Sequence, residues 1–215
     1  MNAMFSTTIP LPAILDRPAL TGPGRRHRIG NHCLAPLDVE RFNHLLLRLG
    51  RRQAPLDRDQ LVTAAGDLCS RNIDTVEPPS IRQRMRQVKT AALMVGDPDW
   101  TTTNDVVDAA RLVIDYARGN DNLIPDAVPK VGRLDDAIVA DAAWLRLADE
   151  IERYLDFCRL REVAAGLRGR SSPAPSFNRP DWEQAHREQA ALVAHQRAVR
   201  EHSHLSEAAL LFRIH

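Results

Sequence analysis

Apolar residues recur at three- and four-residue spacing along most of the chain, and the interruptions fall at helix-stop residues. Asp38 opens a predicted helix with Val39, Phe42, Leu45, Leu46 and Leu49 on one face and Gly50 past its end. Asp57 and Gln60 form a predicted capping box for a second helix, with Leu61, Ala64, Ala65 and Leu68 inward. Ser80 and Gln83 repeat that box for a third, whose stripe is Ile81, Met85, Val88, Ala92 and Val95 and whose stop is Gly96. Thr102 and Asp105 open a fourth, with Val106, Ala110, Val113 and Ala117 inward and Gly119 at its end. A proline- and glycine-bearing loop over 120–133 leads to a long fifth helix from Leu134 to Leu167. Its stripe is Ala137, Ala140, Trp144, Leu147, Ile151, Tyr154 and Cys158, and Asp149 and Arg153 are set to pair along it. Asp181 and Gln184 cap a sixth helix to about Glu201, and Leu205, Ala209 and Phe212 fit a short last one. No run alternates apolar and polar residues over five or more positions, so no strand is expected.

The pattern predicts an all-α fold, an irregular bundle of about six or seven helices. Residues 1–36 form an extended arm rich in proline and glycine, with a basic cluster at Arg25, Arg26, His27 and Arg28. Residues 37–168 are the helical body, 169–180 (GRSSPAPSFNRP) a linker, and 181–215 a C-terminal helical arm. The N-terminal arm is expected either disordered or laid in extended form over the body.

Composition narrows the function classes. The chain has 215 residues, 44% hydrophobic and 27% charged, which excludes a wholly disordered chain, a fibrous repeat and a disulfide scaffold. Its 29 basic and 28 acidic residues leave a net charge of +1, too small for a bulk polyanion binder. Lys89 and Lys130 are the only lysines, so the basic side chains are almost all planar forked donors. Cys33, Cys69 and Cys158 lie far apart with no CxxC pair and read as small core residues in a reducing compartment. No signal-like segment and no bilayer-length apolar run is present, so a cytoplasmic location is expected.

One segment carries a long ordered motif. Residues 116–139 read YARGNDNLIPDAVPKVGRLDDAIV. Tyr116, Leu123, Ile124, Pro125, Asp126, Pro129, Gly132, Asp135 and Asp136 follow the pattern of a Tyr-bearing helix, an L-I-P-D turn, a proline, a glycine and a D-D pair opening an apolar helix. In this, residues 107–146 resemble the YkvA-like family of small bacterial helical domains, a domain of unknown function. Asn120 and Asn122 stand where that family usually carries Pro and Asp. The resemblance implies a helix–loop–helix module, often associated with membrane proteins, and implies no activity.

The residues themselves give the motif a structural task. Pro125 and Pro129 forbid continuous helix, Gly132 admits a tight turn, and Asp135 or Asp136 caps the long helix. The sharper reading is a carboxylate cluster in which Asp126, Asp135 and Asp136, with Asp121 nearby, hold Mg²⁺ or Ca²⁺. No other cofactor is indicated. His27, His32, His186, His195, His202 and His204 lie outside the body or near its edges, without zinc-site spacing. No nucleophile elbow, flanked cysteine or phosphate loop occurs, so no catalytic residue is assigned.

Two surfaces remain. Arg82, Arg86 and Lys89 share one flank of the third helix near its N-terminus, where positive charge opposes the macrodipole. They are read either as a docking site for an anionic partner or as intramolecular pairs with acids such as Asp105, Asp108 and Asp149. The sixth helix carries Trp182, Leu192 and Val199 at heptad spacing and is read as a self-association seam or as a helix packed back on the body. Together these features point to a non-enzymatic interaction or assembly module with a protein partner or a second copy. The alternatives are a carboxylate-metal enzyme or sensor at the Asp corner, and a peripheral membrane or nucleic-acid binder through the basic helix. Few aromatics are available for base stacking, which disfavours nucleic acid.

Overall fold

The computed structural model describes residues 8–18, 26–119, 122–168 and 177–202. The fold is all-helical. A 3-10 turn, Ala13–Asp16, precedes a two-stranded hairpin, β1 (Arg28–Ile29) and β2 (His32–Cys33). Six helices follow among the described residues: α1 Pro36–Leu49, α2 Arg58–Arg71, α3 Pro79–Gly96, α4 Asn104–Arg118, α5 Leu134–Arg168 and α6 Arg179–His202. The predicted short helix around Leu205, Ala209 and Phe212 lies outside the described residues. The chain divides into two compact units, Met1–Leu155 and Asp156–His215, with the division inside α5.

Helix ends follow local chemistry, sometimes one turn away from where the sequence places them. Pro36 starts α1 ahead of Asp38, because proline's fixed φ suits the first helical position. Gly50 ends α1 at φ 103°, and the Arg51 amide bonds Leu46 O at 2.9 Å while the Gly50 amide bonds Leu47 O at 3.0 Å. The α2 capping box forms as expected, with Gln60 N on Asp57 Oδ1 at 2.8 Å and Asp57 N on Gln60 Oε1 at 2.9 Å. Its inward set Leu61, Ala64, Ala65 and Leu68 is buried.

The box expected at Ser80 does not form. Pro78 occupies the cap position and Ser80 is already helical and buried, while Gln83 Oε1 accepts the Ile9 amide at 2.8 Å. The buried face of α3 is also rotated from the expected stripe. It runs through Ile81, Arg84, Met85, Gln87, Ala91 and Met94, leaving Val88, Ala92 and Val95 half-buried. Polar Arg84 holds a core position because its guanidinium is served there. Arg84 donates to Asp141 Oδ1 at 2.6 Å and to the Ile9 carbonyl. In α5, Arg153 pairs with Glu150 at 3.5 Å rather than with Asp149. Asn178 caps α6 by exchanging backbone-to-side-chain bonds with Asp181, so Asp181 is the third helical residue and not the cap.

The described part of the N-terminal arm is ordered over the body. Leu15 is buried, and Gln60 Nε2 reaches up from α2 to Ile14 O and Arg17 O at 3.2 and 2.6 Å. The hairpin is an unexpected element, too short to leave an alternating pattern; it turns at Gly30, φ 58°, and buries Ile29. Cys33 is exposed and Cys69 and Cys158 are half-buried, so the cysteines are not core residues; all are free. Among the described residues, no helix is long and apolar enough to cross a membrane.

Candidate functional site

The α4–α5 connection is a braced corner built by its own polar side chains. Tyr116, in the last turn of α4, donates its hydroxyl proton to Asp135 Oδ2 at 2.8 Å and accepts the Leu123 amide at 3.0 Å. The same Asp135 oxygen takes the Ile124 amide at 3.0 Å. One carboxylate therefore joins the end of α4, the L-I-P-D turn and the first turn of α5. Leu123 and Ile124 are buried, while Pro125, Asp126 and Pro129 sit on the outside of the turn.

Gly132 is required by space. A Cβ there would stand 2.5 Å from Asp126 O and 2.8 Å from Pro125 O, both backbone atoms. The left-handed residue of the corner is Lys130, φ 66°. Its ammonium compensates by donating to the Asn72 and Ile73 carbonyls at 2.9 and 2.6 Å, which fastens the corner to the end of α2. His32 of the hairpin fastens the other side, with Nε2 3.0 Å from Leu123 O.

Asp135 and Asp136 are both fully buried, neighbours at the start of α5. Burial pushes the Asp135 carboxyl up to about 6, against the Ile124 and Tyr116 hydrogen bonds that favour its ionised form. Burial pushes Asp136 up to about 7, helped by the negative charges of Asp135 and Asp126 and opposed by Arg133, whose Nε is 3.4 Å away. Burial and Asp135 together raise the Tyr116 phenol, which stays protonated. Asp126 accepts only a long 3.4 Å contact from Asn122 Nδ2. The three expected metal ligands thus divide between the turn surface, the Tyr116 network and Arg133. Among the described residues, no group of three or more His, Cys, Asp or Glu is placed to hold a metal ion, and Asp121 lies outside them.

Arg133 also belongs to a second feature. A groove of about 340 Å³ runs beside α3 and α4. Arg82, Arg86 and Lys89 come to it from α3, Arg118 from the end of α4, and Arg133 from the corner. Its apolar lining includes Met85, Val88, Ile114 and Ala117. Arg82 lies 3.8 Å from Glu77, a long pair, and donates to the Glu77 carbonyl at 2.9 Å. The side chains of Arg86, Lys89 and Arg118 have no carboxylate partner among the described residues. The acids expected to neutralise this flank do not reach it; Asp105, for one, lies 3.9 Å from Arg146. Sequence spacing finds Arg82, Arg86 and Lys89, but Arg118 and Arg133 join them only through the α3–α4 packing and the corner.

The Asp156–His215 unit has its own polar centre. Asp156 accepts from Arg159 at 2.6 Å, His186 at 2.7 Å and Trp182 Nε1 at 2.9 Å. Burial alone would raise its carboxyl, yet these donors together hold it below the usual carboxylate range. Phe157 and Phe177 stack at 5.6 Å. Trp182 is therefore spent inside this unit, half-buried, and does not head an open seam. Leu192 and Val199 are 56% and 53% exposed, and Val193, absent from the predicted seam, is 57% exposed. His195 is exposed on the same helix, whereas the side chains of His202 and His204 lie outside the described residues.

Fold and site together define an all-helical protein with a proline-braced, acid-pinned corner and a cation-lined groove beside it. No family model, curated protein or solved structure matches this chain.

Proposed function

We propose that the protein is a non-enzymatic interaction module that receives an acidic protein segment in the groove between α3 and α4. The observation that carries this reading is the set of unpaired cations: Arg86, Lys89 and Arg118 face one groove without a carboxylate partner among the described residues. Self-repulsion of these charges is relieved by an incoming anion. The apolar lining favours carboxylate side chains interspersed with aliphatic ones over a smooth polyanion. Near-neutral overall charge makes the attraction local to this groove. The braced corner fixes Arg133 at one end, and the resemblance of 107–146 to the YkvA-like family agrees with a scaffold role for that corner. Free cysteines suit a cytoplasmic setting.

The test is binding of a fluorescent peptide of alternating Glu and Leu across a salt series, with duplex DNA and anionic vesicles as competitors. Affinity for the peptide falls as salt rises and falls again in Arg86→Glu/Lys89→Glu. Preference for DNA or vesicles, or binding indifferent to the double variant, contradicts the reading.

Self-association through α6 is a second reading, supported by the exposure of Leu192, Val193 and Val199 along a helix whose residues 186–201 are all exposed. A concentration-dependent mass in sedimentation that Leu192→Glu abolishes supports it; a monomer at every concentration rejects it.

A further inference from the structure

A second, larger recess lies away from the cationic groove, between α1 and the segment 51–58, with a volume of about 710 Å³. That size falls inside the range of small-molecule pockets, about 300–1,000 Å³. Its surface includes Val39, Leu46 and Leu56, which are buried side chains of the body, and Leu47, which is 68% exposed. An exposed leucine on the wall of an apolar recess gains by being covered.

The recess is held open by polar bonds that do not depend on a ligand. Asn43 of α1 donates to Leu56 O and accepts from Leu56 N, each at 2.8 Å, so helix and loop cannot slide together. The next residue, Asp57, is locked in the α2 capping box. Walls fixed in this way bind without a large ordering cost.

The polar lining carries both signs: Glu40 and Asp57 stand against Arg51, Arg52 and Arg58, and the Asp57 carboxylate is already bonded in the capping box. Arg51 and Arg52 both line the recess. Arg52 is exposed and has no partner among the described residues. Arg51 is half-buried; its terminal nitrogen donates to the Leu15 carbonyl, while its Nε is buried with no acceptor. The Arg51 charge already faces Asp16 and Asp141, so the head-group partner is the exposed Arg52, whose guanidinium is a planar fork matched to carboxylate.

We infer that the recess binds an aliphatic carboxylate, with its chain against Leu47 and Pro55 and its head group at Arg52. An anionic head suits Arg52 and a flexible apolar chain suits Leu47 and Pro55; a cationic amphiphile of the same length satisfies only the second. This site uses none of the groove residues, so it stands whether or not the acidic-segment reading holds.

The experiment is calorimetric titration of the full chain with dodecanoate below its micelle concentration, and in parallel with dodecyltrimethylammonium. Dodecanoate binds at one saturable site and the cationic amphiphile does not. Leu47→Glu and Arg52→Glu, both at exposed positions where folding is kept, each weaken dodecanoate by about tenfold or more. Arg86→Glu, in the other groove, leaves it unchanged. Absence of saturable binding, equal binding of the two head groups, or affinity retained in both cleft variants overturns the assignment. So does preferential binding of an amphipathic peptide at Leu47.

Discussion

The Tyr116 hydroxyl and the Asp135 carboxylate are joined at 2.8 Å, and that one bond closes the turn between α4 and α5. Tyr116 also receives the Leu123 amide, and Asp135 the Ile124 amide, so the two side chains satisfy two consecutive backbone donors of the turn. Tyr116→Phe keeps the ring, which lies 5.9 Å from that of Phe42, but removes both of its hydrogen bonds. Leaving a buried amide and a buried carboxylate oxygen short of partners costs about 1–3 kcal/mol. Urea denaturation measures this. A loss of only a few tenths would mean that the corner does not depend on the phenol.

The buried acids make stability depend on pH in an unusual direction. Asp135 at about 6 and Asp136 at about 7 in the folded chain lie above their ordinary value of 3.8. Between those values the folded state holds protons that the unfolded state has lost. Stability therefore falls as pH rises from about 4 through about 7. Asp136→Asn removes one of the two ionisations, so its unfolding free energy declines less over that interval than the wild type's. Denaturation midpoints for both chains at several pH values decide the matter; identical slopes refute the assignment to Asp136.

Gly132 has no room for a methyl group. Because the Cβ of Gly132→Ala would meet two backbone carbonyls, at 2.5 and 2.8 Å, and not the end of a flexible side chain, the turn itself must shift. Overpacking of this kind costs about 1–3 kcal/mol. Thermal melting shows the loss. The same change at Gly96, where a Cβ meets nothing within 4 Å, serves as the control and leaves the melting temperature near the wild type's.

Much of the fold was legible in the apolar spacing, because α1 buries Val39, Phe42, Leu46 and Leu49 and ends at Gly50, and α2 opens on its capping box and buries Leu61, Ala64, Ala65 and Leu68. The α3 face was misread because its core positions include Arg84 and Gln87, which a hydrophobic pattern assigns to solvent. Arg84 is 3% exposed because Asp141, fifty-seven residues on, supplies its counter-charge; nothing local announces that pair. The hairpin at 28–33 was missed for a different reason, since two residues per strand cannot show a period. At the corner, residue types and order pointed to caps and a blocked turn, and Gly132 behaves so. That Tyr116 pins Asp135 was hidden, because the bond spans nineteen residues and depends on how α4 meets α5. The groove was half legible, with Arg82, Arg86 and Lys89 readable from α3 and Arg118 and Arg133 supplied by tertiary packing.

Lys89 and Arg86 are exposed and unpaired, so reversing their charge separates binding from folding. The most direct measurement is the affinity of the Glu/Leu peptide for the wild type and for Arg86→Glu/Lys89→Glu, taken from low to physiological salt. Saturable, salt-weakened binding by the wild type and its loss in the double variant, with both chains melting at the same temperature, is the predicted result. Equal affinity in the two chains, or loss of binding only alongside loss of the fold, would contradict the groove as the contact surface.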